Sequence, residues 1–100
     1  MTEKEFRDNI RSKASGILTA WADYVKVGYY GNDPYAKRKY GLHAYHKWGS
    51  LYCSWEGHKQ ELIEMLRENG ATNISGKVTW NRVELYFDPK KRVEKEWGNA

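Results

Sequence analysis

Hydrophobic residues near the start of the chain recur every three or four positions, the spacing that lines one face of an α-helix. These positions are Phe6, Ile10, Ala14, Ile17, Trp21 and Val25. Thr2 and Glu5, just before this series, have the spacing of a capping box, which satisfies two free backbone N–H groups at a helix start. The pattern therefore predicts a long N-terminal helix over residues 3 to 24.

The helical pattern is interrupted by the sequence Gly-Asn-Asp-Pro at residues 31–34. Asp33 is a good helix-capping residue and Pro34 suits the first helical position, so a second helix is predicted to begin here. Its extent stays open. Hydrophobic positions in residues 42–55 have near-helical spacing, but the last of them also alternate as in a strand, and periodicity does not choose between the two.

The second half of the chain carries a further helical pattern and two alternating ones. Apolar residues within 57–69 predict a helix that Asn69 and Gly70 end. Alternation then predicts two antiparallel strands joined near Asn81 and Arg82. The alternating positions are Ile74, Val78 and Trp80 in the first strand, and Val83, Leu85 and Phe87 in the second.

Asp88 and Pro89 repeat the combination of capping residue and proline, and Val93 and Trp97 lie four residues apart. This predicts a short terminal helix. The expected fold is thus α+β. Residues 1–100 form a small single domain with a long N-terminal helix, one or two further helices, a C-terminal β-hairpin and a short terminal helix.

Composition changes this picture in one respect, because aromatic side chains supply much of the apolar material. Ile, Leu and Val together number 15, and Trp, Tyr and Phe also number 15. Trp and Tyr bury large areas, so the domain is expected to fold with a core that relies in part on aromatic rings.

The formal net charge of +4 lies entirely in residues 24–55, which contain five basic residues and one acidic residue. The rest of the chain has equal numbers of each. The same 32 residues hold nine of the 15 aromatic residues. Cations neutralise phosphates and aromatic faces stack unpaired bases, so this segment is expected to contact nucleic acid, with RNA or single strands favoured.

The candidate binding residues combine rings with cations around a run of three basic residues. They are Tyr30, Tyr35, Lys37, Arg38, Lys39, Tyr40 and Lys47. The Lys and Arg side chains would contact phosphates and the Tyr rings would stack. A competing interpretation assigns the larger share of the rings to the core. This interpretation applies best to Tyr45, Trp48, Tyr52 and Trp55.

A second functional hypothesis is a protein-interaction module, since rings and Arg are typical of interface hot spots. A phage or mobile-element accessory or inhibitor protein that docks onto a host nucleic-acid-processing complex would have this composition. The partner would then be that complex rather than nucleic acid alone.

All three histidines and the single cysteine fall within 16 residues, and such side chains bind zinc. They are His43, His46, Cys53 and His58. Their spacing does not match common zinc motifs, so no metal or other cofactor is predicted, and a small metal-dependent hydrolase remains the second alternative. In the absence of a catalytic motif, the protein is expected not to be an enzyme.

No apolar run is long enough to span a bilayer, and the first residues lack the apolar stretch of a signal peptide. One cysteine cannot form an internal disulfide. A cytoplasmic location with no membrane partner is therefore expected.

Overall fold

The computed structural model describes residues 1–18, 22–46, 52–79 and 81–94, with residues 52–55 described by their backbone alone. Within these residues, the structure confirms the α+β class, with two helices and a four-stranded antiparallel sheet. In chain order the elements are α1 (Glu3–Ile17), β1 (Tyr24–Tyr29), β2 (Tyr40–Tyr45), α2 (Tyr52–Glu68), β3 (Ala71–Val78) and β4 (Arg82–Pro89).

The strands lie in the order β1-β2-β4-β3, and each neighbouring pair is antiparallel. The chain thus runs twice through helix, strand, strand. In each half the first strand lies at an edge of the sheet and the second lies at the centre. Leu42 opposite Leu85 and His43 opposite Glu84 join the two halves along the central pair of strands.

Both helices pack on one face of the sheet. The core between them and the strands combines aliphatic and aromatic side chains: Phe6, Ile10, Ala14, Leu18, Val27, Tyr40, Leu42, Ala44, Leu62, Met65, Leu66, Ala71, Val83, Leu85 and Phe87. Side chains alternate across a strand, so their neighbours point to the other side. We call this opposite side the outer face; within the described residues, no helix covers it.

The capping box of α1 is confirmed. Glu5 N donates to Thr2 Oγ1 at 3.1 Å, and Thr2 N donates to Glu5 Oε1 at 3.3 Å. The predicted face is also buried at Phe6, Ile10 and Ala14. The helix ends earlier than predicted, at Ile17, and Trp21 lies outside the described residues.

The predicted end of the first helix is wrong because Val25 belongs to β1. Val25 fits two patterns, the helical series from Phe6 and an alternating series with Val27 and Tyr29. The alternating series prevails, since it packs these three side chains against the helices on the inner face. The strand β1 was therefore not predicted from the sequence.

No helix begins at Asp33 and Pro34, so this prediction is wrong too. Asp33 Oδ1 accepts a hydrogen bond from Tyr35 N at 2.9 Å, which closes a turn within the β1–β2 loop. Residues 37–39 are all charged, and a helix there would have no apolar face to bury. Tyr30 N donates to Lys39 O at 2.6 Å and closes the base of the loop.

The segment left open between helix and strand contains both. Residues 42–45 belong to β2, while α2 runs from Tyr52 to Glu68 and covers the predicted helix over 57–69 except for its last residue. The two predicted strands are present as β3 and β4, although β3 begins earlier, at Ala71.

The terminal helix predicted to start at Asp88 and Pro89 does not start there. These residues end β4, where Pro89 pairs with Ala71 and Asp88 with Thr72. An Asp-Pro pair can begin a helix, but in this protein it ends a strand, because β4 stays paired with β3 up to Pro89. Trp97 lies outside the described residues.

Candidate nucleic-acid interface

Five of the seven predicted binding residues lie together in the β1–β2 loop, which joins one edge strand to a central strand. They are Tyr30, Tyr35, Lys37, Arg38 and Lys39. Tyr35 is 92% exposed and its ring projects into solvent. Lys47 lies outside the described residues.

Tyr40 is a correction to the predicted set, because it is completely buried. Its ring stacks on Phe87 with the centroids 5.6 Å apart, and it meets Phe6 edge to face at 5.0 Å. Burial, followed by the nearby charge of Glu3, raises the pKa of Tyr40. The ring is part of the core and is not available to stack on a base.

The outer face carries a row of ionisable side chains that crosses all four strands. Register places Lys26 opposite His43, His43 opposite Glu84, and Glu84 opposite Lys77. A second row, one pleat along, consists of Gly28, Gly41, Tyr86 and Ser75. His43 is among the candidate zinc ligands of the sequence, but none of these eight residues is among the predicted binding residues, because the charge pattern of a single strand gives no sign of rows that form across strands.

Glu84 makes most of the contacts within the row of ionisable side chains. Its Oε1 accepts a hydrogen bond from the Tyr86 hydroxyl at 2.8 Å, and its Oε2 lies 3.2 Å from Arg82 Nε and 3.8 Å from Lys77 Nζ. Burial acts to raise the pKa of Glu84, but the Tyr86 hydrogen bond and the two cations outweigh it and lower the pKa. Glu84 therefore stays ionised and holds these side chains in place.

His43 lies between this carboxylate and the loop. Its Nδ1 is 3.7 Å from Glu84 Oε1, and its Nε2 is 3.5 Å from the Tyr30 hydroxyl. Burial lowers the pKa of His43 and outweighs the opposing effect of Glu84. The imidazole is thus neutral at neutral pH. With its proton on Nδ1, beside the Glu84 carboxylate, its Nε2 can accept a hydrogen bond from the Tyr30 hydroxyl.

Tyr30 lies across a pair of glycines that face each other on β1 and β2. A Cβ on Gly41 would be 2.8 Å from Tyr30 Cε2 and 3.1 Å from Tyr86 Cδ1, and a Cβ on Gly28 would be 2.9 Å from the Tyr30 hydroxyl. Neither position has room for a side chain. The glycine pair therefore lets the two Tyr rings lie close to the sheet, beside His43.

The loop is tied to β3 and β4 at its other end. Arg38 Nε donates to Asn73 O at 2.6 Å, and Lys39 N donates to Asp88 Oδ1 at 2.8 Å. Asn73 has a φ of 53° at an irregularity in β3, and its Nδ2 donates to Asp88 Oδ2 at 3.1 Å. Arg38, predicted as a phosphate contact, thus also fixes the loop over the sheet.

A pocket of about 570 Å³ opens between this loop and the outer face. Three aromatic or apolar side chains and four polar or charged ones line it: Tyr30, Ala36 and Tyr86, and Lys37, Arg38, His43 and Ser75.

A second run of basic residues, 90–92, lies at the same end of the sheet as residues 37–39. Tyr40 pairs with Phe87, and Lys39 N contacts Asp88, so the start of β2 and the end of β4 are adjacent. Lys90, Lys91 and Arg92 are all exposed. We call the six residues of the two runs the basic end. The second run does not stand out in the sequence, because acidic residues outside the 24–55 segment balance its charge.

The described residues contain no group of three or more His, Cys, Asp or Glu side chains placed to hold a metal ion. His43 is on the outer face, whereas His58 belongs to α2 on the helical side, where its Nδ1 lies 3.6 Å from Glu61 Oε1. These two histidines therefore do not share a site. The side chain of Cys53 lies outside the described part of the chain.

Neither of the two described helices is long and apolar enough to cross a membrane. No protein-family model, curated protein or solved structure matches this chain. Its function must therefore be inferred from its own fold and surface.

Proposed function

We propose that this protein binds single-stranded nucleic acid, RNA or another unpaired strand, on the outer face and the basic end, without catalysing a reaction on it. The observation that carries this proposal is the placement of the cations and rings. Helices cover one side of the sheet, while the other side presents Tyr30 and Tyr86 together with Lys26 and Lys77. The basic end lies where β2 begins and β4 ends, at the edge of this face.

An unpaired strand suits this surface better than a duplex. Bases of a single strand can stack on aromatic side chains, each stack contributing about 1–3 kcal/mol. Aromatic residues on the open face of a four-stranded sheet are one known means of binding RNA. Reading a DNA major groove requires a projecting helix or ribbon, and both described helices pack on the other face of the sheet.

Binding is best measured by fluorescence polarisation of a labelled single-stranded RNA, with single-stranded DNA and a duplex of the same length for comparison. We expect the single strands to bind more tightly than the duplex. If all six residues of the basic end contact phosphates, the log–log dependence of affinity on salt has a slope of about −4. The absence of binding at low salt, or equal affinity for the duplex, would contradict the proposal.

Two charge-reversal variants test the two runs of the basic end separately. Lys37→Glu with Lys39→Glu removes cations from the first run, and Lys90→Glu with Lys91→Glu removes them from the second. Each pair should make the slope shallower by about 1.4. Lys13→Glu with Arg67→Glu is the matched control, because it changes the net charge equally at exposed positions of the helices. A control with the same loss would show that only overall charge matters.

A protein partner is the second candidate, favoured by a pair of exposed rings at the other end of the outer face. Tyr24 and Tyr45 face each other across β1 and β2 and are 52% and 37% exposed. Such rings are typical of interface hot spots. A mobile-element accessory or inhibitor protein docking onto a host nucleic-acid-processing complex would use them. A partner captured from nuclease-treated lysate, and lost in Tyr24→Ser with Tyr45→Ser, would favour this candidate.

A further inference from the structure

The pocket between the β1–β2 loop and the outer face has the size of a small-molecule site. Its volume of about 570 Å³ lies within the range of roughly 300–1,000 Å³ that such sites occupy. It is lined by both central strands, by β3 and by the loop. The pocket is part of the surface proposed to bind nucleic acid, so a bound strand could place one of its groups inside it.

The aromatic wall of the pocket is fixed before any ligand binds. The Tyr86 hydroxyl donates to Glu84 Oε1 at 2.8 Å, and the Tyr30 ring lies against Gly41, with its hydroxyl 3.5 Å from His43 Nε2. Rings that are already held lose little conformational entropy when a ligand stacks on them. The wall therefore suits a flat, rigid group such as a nucleobase.

The rim of the pocket is cationic. The Lys37 side chain is exposed and makes no ion pair with the described residues, while Arg38 is held by Asn73 O. Lys37 is thus the cation most available to a ligand phosphate. Ser75 and His43 add groups that can hydrogen-bond to a sugar or to the edge of a base.

From this combination we propose that the pocket binds one nucleotide of the single strand, with the base against Tyr30 and Tyr86 and the phosphate at Lys37. The proposal rests on the proposed function for the class of its ligand. It adds that binding is not spread evenly along the surface, because one nucleotide leaves the path of the strand and enters the pocket.

Filling the pocket tests this directly. Ser75 is an exposed residue of β3 that faces the pocket, and Ser75→Trp places a ring where the nucleotide would lie. We expect the affinity for the labelled strand to fall about tenfold, the loss of one stacked base. Ser12→Trp, at an exposed position of α1, is the matched control and should leave affinity unchanged. Circular dichroism and thermal melting establish that both variants fold.

A second experiment leaves the pocket open and removes only its charge. Adenosine, adenosine 5′-monophosphate and inorganic phosphate are compared as competitors of the labelled strand. The wild-type protein should prefer the monophosphate over adenosine by about tenfold or more, the effect of one charge-assisted contact. Lys37→Gln should abolish this preference and Lys37→Arg should retain it. A preference that is unchanged in Lys37→Gln would overturn the assignment of the phosphate.

The two proposals fail in different ways. If the strand binds but Ser75→Trp binds it equally well, the pocket proposal is wrong and the proposed function stands. If no strand binds but the monophosphate binds and Ser75→Trp prevents it, the proposed function is wrong and the pocket is a site for free nucleotides. If neither the strand nor the monophosphate binds, both proposals are overturned.

Discussion

Tyrosines of this protein differ in role according to the side of the strand on which they lie. Tyr40 and Tyr86 are on adjacent central strands, but Tyr40 points into the core and Tyr86 onto the outer face. Side-chain direction alternates along a strand, so the position of a tyrosine relative to its neighbours decides whether its ring packs in the core or lies on the outer face. Composition alone cannot make this distinction.

Tyr40→Phe is predicted to stabilise the protein. The Tyr40 hydroxyl is buried and has no hydrogen-bond partner within the described structure. An unpaired buried hydroxyl costs about 1–3 kcal/mol, so its removal should raise the free energy of unfolding by about 1 kcal/mol. Urea denaturation measures this change. A loss of stability would show that the hydroxyl is paired. Strand binding should not change, because the ring lies in the core.

The His43 imidazole is predicted to make stability depend on pH. Its pKa in the folded protein is lowered from the ordinary value of 6.5, chiefly by burial. The unfolded chain then binds the proton more readily, so the free energy of unfolding falls as the pH drops below about 6.5. The lowered pKa of Glu84 adds a second decline below its ordinary value of 4.5.

Urea denaturation across this pH range checks the prediction, with His43→Gln as the variant. The groups that face the imidazole are Lys26 from β1, Tyr30 from the loop, and Glu84, Arg82 and Tyr86 from β4. His43→Gln should reduce the first decline and keep most of the second, because Tyr86, Arg82 and Lys77 still lower the pKa of Glu84 after His43, the smallest contributor, is removed. An equal first decline in the variant would assign it to other groups.

At the level of elements, the irregularity in β3 supports the loop above the pocket. Asn73 adopts a left-handed backbone conformation, and both its carbonyl and its side chain make contacts that anchor this region. Glycine adopts this conformation without strain, whereas alanine does not. A comparison of Asn73→Gly with Asn73→Ala therefore separates the effect of backbone strain from the effect of losing the hydrogen bond to Asp88.

Asn73→Ala is predicted to lower the free energy of unfolding by about 1–2 kcal/mol, and Asn73→Gly by less. Both variants lose the side-chain hydrogen bond to Asp88, but only alanine strains the backbone. Thermal or urea denaturation of the two variants and the wild type gives the comparison. Equal losses would mean that the hydrogen bond, and not the backbone conformation, carries the effect.

Some of the helices and strands could be predicted from the sequence and others could not. The start of α1, the later part of α2 and the strands β3 and β4 follow from capping residues and periodicity. The strand β1 does not, because Val25 continues the helical series as well as it begins the strand. Local signals at Asp33 and Asp88 fail for a related reason, since a capping residue followed by proline is compatible with a turn or a strand end.

For the whole molecule, the fold joins charges that the sequence keeps apart. Residues 37–39 were identified from local charge, but residues 90–92 join them only because β2 and β4 are neighbours. The cluster around Glu84 likewise draws on three strands. Neighbour relations between distant strands depend on packing of the entire chain, so this part of the site was not predictable from the pattern of any one segment.

The repeated order of helix, strand, strand means that the central seam between β2 and β4 divides the domain into two halves. His43 belongs to the first half and Glu84 to the second, and the pocket draws on both. A ligand in the pocket would bridge this seam, and its binding energy would oppose separation of the halves by mass action. The strand would then stabilise the fold of the domain that binds it, because the same contacts that recognise the nucleotide would hold the two halves together.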